Sequence, residues 1–368
     1  MTDLLRERGV FDRHPFVLVD VGCSGGIAET WRAFGPSLVA HGYDPDVGAC
    51  KEAQAREPFP HVHYHAAFVG LPESHSFVRR RRAEADRWPD TNIWGRVTAG
   101  HLAREPQEAA PGEPDTAARS ADPATPLGVD EIVRAEQLPT VDFLKVDVDG
   151  PDLEVLESAR ELLAVGQVLG VAVEVNWFGS INPTEPTFHN VDGFLRGREY
   201  TLFGLTVRPY SRTDLPAPFL RELYAETRFG QPYQGDAIYV RDLAAPDQLE
   251  LADAYPADKL VKLACVYELI GLPDCAAEVL NRFRPRLAAF GDTEALLDAL
   301  TPPLLGEQLT YRQYISKFEE EPHLFLPSAQ NAQAGRASRQ EGLVSRRSSL
   351  IRQTARRIKR MLITRDAR

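Results

Sequence analysis

Val17-Leu18-Val19-Asp20-Val21-Gly22-Cys23-Ser24-Gly25-Gly26 is the stretch on which the fold is decided. Its first half is short, β-branched-rich and apolar except at Asp20, the pattern of a strand buried on both faces. Its second half is a glycine turn, where the lack of bulky side chains lets a ligand approach the backbone. Ile27, Trp31 and Phe34 then recur at helical spacing. Strand, glycine turn and helix in that order form the opening unit of a parallel sheet.

The same order returns downstream. Phe143-Leu144-Lys145-Val146-Asp147-Val148 reads as another buried strand, Gly150-Pro151-Asp152 as a turn and helix start, and Leu153, Leu156 and Leu163 as the apolar stripe of the helix that follows. Val168 to Val175 is a further buried strand, and Tyr200 to Val207 and Ala237 to Val240 are late strands closing one edge. Strands alternating with helices predict an α/β protein with a doubly wound, mainly parallel, Rossmann-like sheet covered on both faces. This domain is expected over 1–242. Within it, 79–126 breaks the pattern with the basic run Arg79 to Arg82 and a Pro-, Ala-, Glu- and Asp-rich continuation; it is read as an irregular insertion, either a lid or a tolerated surface loop.

Residues 243–326 read as a small all-helical appendage. Leu260, Leu263, Ala264, Tyr267 and Ile270 mark one helix, stopped by Gly271; Ala276, Val279, Leu280 and Phe283 mark a second, and Leu296, Leu297 and Leu300 a third. Its apolar faces are expected to dock on the sheet domain or to pair subunits in a homo-oligomer. Residues 327–368 form a basic tail. From Arg336 onward it carries eleven Lys and Arg against Glu341 and Asp366, a charge of +9, which leaves −11 − 9 = −20 for the rest. An acidic body repels a phosphate backbone, so no nucleic-acid partner is expected. The tail's stripe of Leu350, Ile351, Ala355, Ile358 and Leu362 among arginines suits an anionic membrane surface or an acidic partner, and equally a solvated, disordered end.

The four cysteines, Cys23, Cys50, Cys265 and Cys275, lack metal-site or disulfide-framework spacing. No apolar run is long enough to span a bilayer, and Met1 to Val10 lacks the apolar centre of a signal peptide. The expected location is the cytoplasm, peripheral to a membrane if the tail engages one.

The chemistry concentrates at strand ends. A dinucleotide fingerprint needs glycines at positions 22, 24 and 27; here those are Gly22, Ser24 and Ile27, and the acid precedes the first glycine. That order disfavours a nicotinamide or flavin oxidoreductase. An acid before the glycines suits a cationic ligand, such as the amino group of S-adenosylmethionine. About twenty residues on, His41-Gly42-Tyr43-Asp44-Pro45-Asp46 places an acid where both ribose hydroxyls can donate to it.

With these stretches in view, the chain resembles the FkbM family of methyltransferases. The resemblance rests on Val19 to Gly26, on Tyr43-Asp44-Pro45, on Asp142-Phe143-Leu144-Lys145-Val146-Asp147-Val148-Asp149-Gly150, and on the helix Leu153 to Ala159; it covers Val17 to Asp242. It implies a class I methyltransferase fold, S-adenosylmethionine as donor, and transfer to an oxygen of a glycan, lipid or natural product. By position it implies Asp20, Gly22, Ser24 and Gly25 near the methionine moiety, Asp44 at the ribose, and Ala66 and Ala67 near the adenine.

Period-2 alternation puts Lys145, Asp147 and Asp149 on one side of their strand. Asp147 is the leading catalytic candidate, steering or deprotonating an acceptor hydroxyl, with His189 as a second general base or simply a surface histidine. Lys145 reads chiefly as a structural partner for a carboxylate. Asp147, Glu174 and Asn176 offer an oxygen set for Mg²⁺ or, equally, polar packing. Trp94 and Trp177 offer an apolar surface for a sugar ring, Arg96 and Arg212 a contact for an anionic group, and Asp149 and Glu174 polar contacts to the acceptor. The competing class is a non-catalytic assembly module; intact Asp20, Asp44 and Asp147 argue against it.

Overall fold

In the computed structural model, residues 1–71, 126–148, 150–165, 167–177, 183–221 and 226–327 are described. The expected lid, the basic tail, Trp94, Arg96 and Asp149 lie outside the described residues. The chain divides into two compact units.

The larger unit, Val17–Ile27 with Val39–Arg241, holds the sheet. Its strands are β1 (Val17–Val21), β2 (Val39–Asp44), β3 (Val62–Ala66), β4 (Phe143–Val146), β5 (Gly170–Asn176), β6 (Thr201–Leu205), β7 (Arg208–Tyr210) and β8 (Gln231–Val240). They lie in the order β3-β2-β1-β4-β5-β8-β6, with β7 also pairing β8. The first five are parallel. β8 runs antiparallel between β5 and β6. The order reverses from β1 to β4, which opens the crevice at the strand carboxyl ends where doubly wound folds bind ligands. The mainly parallel, Rossmann-like architecture expected from the sequence is the one observed.

β1 is buried along its whole length because both faces are covered. One core gathers Val19, Leu144, Val171 and Val173 from the strands with Ile132, Leu156, Val191 and Leu195 from the helices. Each such side chain contributes about 1.5–3 kcal/mol on leaving water. Gly170 has no side chain for a packing reason: a Cβ there would sit 2.6 Å from Phe143 Cε2.

The smaller unit is helical. It contains Met1–Phe16, Ala28–Leu38 and the described residues from Asp242 on. The helices Ala257–Leu269, Pro273–Arg282 and Thr293–Leu300 appear where the apolar spacing put them. Gly271, at φ 83°, ends the first. Met1–Phe16 and Ala28–Leu38, read from sequence as part of 1–242, cluster with these helices instead. Phe16 stacks on Phe34 at 4.0 Å and on Trp31 at 5.4 Å, all three buried. Thr2 donates through N and Oγ1 to Glu268 Oε2, at 2.7 and 2.5 Å.

The helix expected after β1 is a 3₁₀ segment, Glu29–Ser37. Gly35 at φ 73° followed by Pro36 breaks the α-helical path, since proline cannot continue the hydrogen-bond ladder.

Candidate active site

The site is built at the carboxyl ends of β1, β2 and β4, within the larger unit. Register places Asp20 between Gly42 of β2 and Lys145 of β4. Beyond β1 the backbone enters the left-handed region at Gly22, Gly25 and Gly26, with φ of 85°, 98° and 96°. Side chains are strained there, which explains the glycines. Gly22 N and Cys23 N both donate to Tyr43 O, at 2.8 and 3.1 Å, tying the turn to β2.

Lys145 fixes the other side of the turn. Its Nζ donates to Gly22 O at 2.9 Å, lies 3.0 Å from Asp20 Oδ1 and stands 3.6 Å from Asp147 Oδ2. All three side chains are less than a tenth exposed. Burial pushes the Asp20 carboxyl above the usual carboxylate range; the Lys145 charge and hydrogen bond oppose this, while Asp147 and Asp44 reinforce it. Lys145 thus stands between Asp20 and Asp147, with Asp44 a further negative charge acting on Asp20.

Asp44 ends β2 and is buried. Its Oδ1 accepts from Asp46 N at 2.9 Å, and Asp46 in turn caps the helix Val47–Arg56 by accepting from Ala49 N at 2.9 Å. Ala66, the register partner of Asp44, is exposed, and Ala67 N donates to Asp44 O at 3.1 Å. Among the described residues Ser24 Oγ, which is buried, has no hydrogen-bond partner, and none stands within 4 Å of the position a Cβ on Gly25 would take. Tyr64 went unread in the sequence. Its hydroxyl accepts from Ile27 N at 3.0 Å and donates to Glu57 Oε2 at 2.8 Å, bracing the far end of the glycine turn.

A second polar cluster lies on β5, β7 and β8. Glu174 and Asp236 are direct register partners, an unfavourable pairing of like charges. Arg208 resolves it: Nη1 donates to Glu174 Oε1 at 2.9 Å and Nη2 to Asp236 Oδ1 at 2.5 Å. Burial works against the guanidinium's charge, but Asp236 and Glu174, with a further contribution from Asp147, hold its pKa well above the ordinary value. Arg208 was not singled out in the sequence. Its partners are 34 and 28 residues away, and no local pattern announces the contact.

The sequence assigned Glu174 to an acceptor or, with Asp147 and Asn176, to Mg²⁺. Glu174 Oε1 is bound to Arg208 Nη1 at 2.9 Å, and a guanidinium on that oxygen opposes a divalent cation there. The donor set does not fit Mg²⁺. Asn176 N donates to Pro186 O at 3.1 Å. Trp177 is half-buried and stacks on Phe188 at 4.6 Å, so part of its ring area is packing. His189, one residue into the helix Phe188–Arg196, is exposed. Arg212 is exposed and donates to Gln231 Oε1 at 2.9 Å.

Residues 89–202 match the Methyltransferase FkbM domain, less than a third of the 368-residue chain. No curated protein matches the sequence. Among solved structures, the chain is similar to magnesium protoporphyrin IX methyltransferase from Synechocystis PCC 6803 with bound S-adenosylmethionine: 10% identity over 65% of this chain and 77% of that one, TM-score 0.27. It is also similar to a chain of the complex between the Haloferax volcanii Trm112 methyltransferase activator and a methyltransferase, at 12% identity, 65% and 90% coverage and TM-score 0.29. A third is a TehB-like SAM-dependent methyltransferase from Corynebacterium glutamicum, at 10% identity, 64% and 87% coverage and TM-score 0.24.

Proposed function

We propose that this protein transfers a methyl group from S-adenosylmethionine to a hydroxyl oxygen of a glycan, lipid or natural-product acceptor. The observation that carries the reading is the turn after β1: an acid, three glycines with positive φ, and a buried lysine bracing both. The FkbM match supports the same chemistry from the β4 side.

The residues present fit that cofactor. Among the described residues Ser24 Oγ has no hydrogen-bond partner and nothing fills the Gly25 Cβ position, and Asp44 stands where β2 ends. Asp20 and the Gly22–Gly25 backbone would hold the amino-acid end, Asp44 the ribose, and Ala66 and Ala67 the adenine edge. When bound, the sulfonium supplies an already activated methyl group. What remains for the protein is alignment and, where needed, proton removal. Asp147 is suited to both. It follows β4, its N–H donates to Val21 O at 2.9 Å, and its carboxylate is buried beside Lys145. A carboxylate fixed in this way orients an acceptor hydroxyl and accepts its proton. Lys145 positions both Asp20 and Asp147.

Calorimetric titration of S-adenosylmethionine into the full chain and into Asp44→Ala tests the cofactor. Micromolar binding that collapses in the variant is expected; no binding to the folded wild-type chain overturns the reading. Incubation with methyl-labelled cofactor and extracted glycan and lipid fractions tests the oxygen. Alkali-stable label in an ether is expected, whereas base-released methanol would mean a carboxyl acceptor.

A further inference from the structure

We infer a second site, independent of the methyl-transfer reading: His41, His65 and Glu136 form a binding site for a Zn²⁺-class divalent metal at the β2–β3 edge of the sheet. The three come together only through the fold. His41 lies on β2 and His65 on β3, while Glu136 directly follows the helix Val129–Ala135. In the strand register His41 stands opposite His63 and Tyr43 opposite His65, so His41 and His65 are diagonal neighbours on one face. Their rings stack at 5.3 Å, and His65 also stacks on Tyr43 at 4.7 Å, which fixes its orientation.

The ligand atoms converge. His41 Nδ1 lies 3.2 Å from His65 Nε2, 3.8 Å separates His41 Nδ1 from Glu136 Oε2, and 3.8 Å separates His65 Nδ1 from Glu136 Oε1. One donor atom from each residue falls within 4.8 Å of the others. Two nitrogens on a tetrahedral zinc, each about 2.0–2.1 Å from the metal, are about 3.3 Å apart. The imidazole pair has that spacing as a nitrogen-to-nitrogen hydrogen bond, whose proton the metal would replace; Glu136 meets His65 at its other ring nitrogen, Nδ1, so the carboxylate turns toward the shared side to complete the set.

The donor chemistry selects the metal. Two imidazoles with one carboxylate suit zinc and its neighbours rather than Mg²⁺ or Ca²⁺, which favour all-oxygen shells. The burial pattern leaves an entrance. The His41 side chain is 8% exposed, but those of His65 and Glu136 are 30% and 34% exposed, so the metal has a path in and a fourth position open to water. Bound there, it cross-links β2 and β3 to the helix Val129–Ala135, three residues before Asp44 on β2.

The test uses the full chain, stripped with chelator, exchanged into chelator-free buffer and titrated with ZnCl₂ in a calorimeter. One equivalent is expected to bind in the micromolar range or tighter and to raise the melting temperature. His65→Ala and Glu136→Gln, at the two partly exposed positions, each lower the affinity by at least about tenfold. Binding that is unchanged in both variants, or none to the folded wild-type chain, overturns the site. A readout free of mutation accompanies it: Zn²⁺ protects His41 and His65 of the wild-type chain from diethyl pyrocarbonate, followed residue by residue by mass spectrometry. Absence of protection at both overturns the proposal even if the variants fail to fold.

Discussion

Asp20 on β1 and Lys145 on β4 are direct partners in the parallel register, and their side chains meet at 3.0 Å with 1% and 7% exposure. Two charges are thereby taken out of water at the point where the glycine turn begins. Each compensates the desolvation of the other, and Lys145 also satisfies Gly22 O. Removing one partner leaves the other buried and uncompensated, the costly way to break such a pair. Lys145→Met is therefore expected to lose about 3–5 kcal/mol in urea denaturation. Adding Asp20→Asn to that variant should recover part of the loss, the signature of direct coupling in a double-mutant cycle. Additive losses would show that the pair does not act as a unit.

Gly42 is expected to resist substitution for a reason of volume. A Cβ there would lie 2.8 Å from Cys23 Sγ and 3.0 Å from Tyr64 Cδ1. Gly42→Ala forces the glycine turn away from β2 and costs about 1–3 kcal/mol. Cys23→Ala in the same chain relieves the first clash and should restore part of the melting temperature.

Arg208 holds two acids that face each other across β5 and β8. Arg208→Met leaves Glu174 and Asp236 with their repulsion, and a loss of about 3–5 kcal/mol is expected. Glu174→Gln should cost less than Arg208→Met, because Asp236 still pairs with the guanidinium. Equal losses from the two variants would assign the effect to Glu174 alone.

Cys275 is half-buried, and burial, followed by the nearby charges of Asp274 and Asp242, pushes its thiol up to about 12. The thiolate is the nucleophile, so alkylation by iodoacetamide follows its fraction. Because the pKa is raised, that fraction keeps growing about tenfold per unit from pH 7 to 10, where an ordinary thiol of pKa about 8.5 levels off. Rates at Cys275, read by peptide mass spectrometry across that range, check the shift. A plateau near pH 9 would contradict it.

What could be read directly from the chain was local. The strand–glycine-turn signal at Val17 to Gly26, the alternation of Lys145 and Asp147, and the apolar stripes at Leu260 to Phe283 each lie within a few residues, and each element formed where the pattern put it. Asp44 was legible for the same reason, as an acid closing a strand. The α-helix expected from Ile27, Trp31 and Phe34 is instead a 3₁₀ segment that kinks at Gly35-Pro36, a break that the apolar spacing, lying wholly before it, does not register.

The rest was decided by contacts between distant parts of the chain. Nothing near Glu174 or Asp236 announces Arg208, and only the antiparallel insertion of β8 makes the two acids face each other. His63 and His65 alternate on β3, a signal visible in the sequence, but their relation to His41 and Glu136 depends on strand register and on the return of the chain after the insertion. Met1–Phe16 and Ala28–Leu38 pack on each other through Phe16, Trp31 and Phe34, and Met1–Phe16 reaches the later helices through Met1 and Thr2 on Glu268 and His14 on Phe290; the sequence offered only the spacing of Trp31 and Phe34, without what they pack against. The sequence by itself determined the elements and the acid–glycine turn, because propensity, periodicity and backbone sterics act over short spans. Only the tertiary structure decided which charges and which aromatic faces meet, because partners for buried charge and apolar area are found through space rather than along the chain.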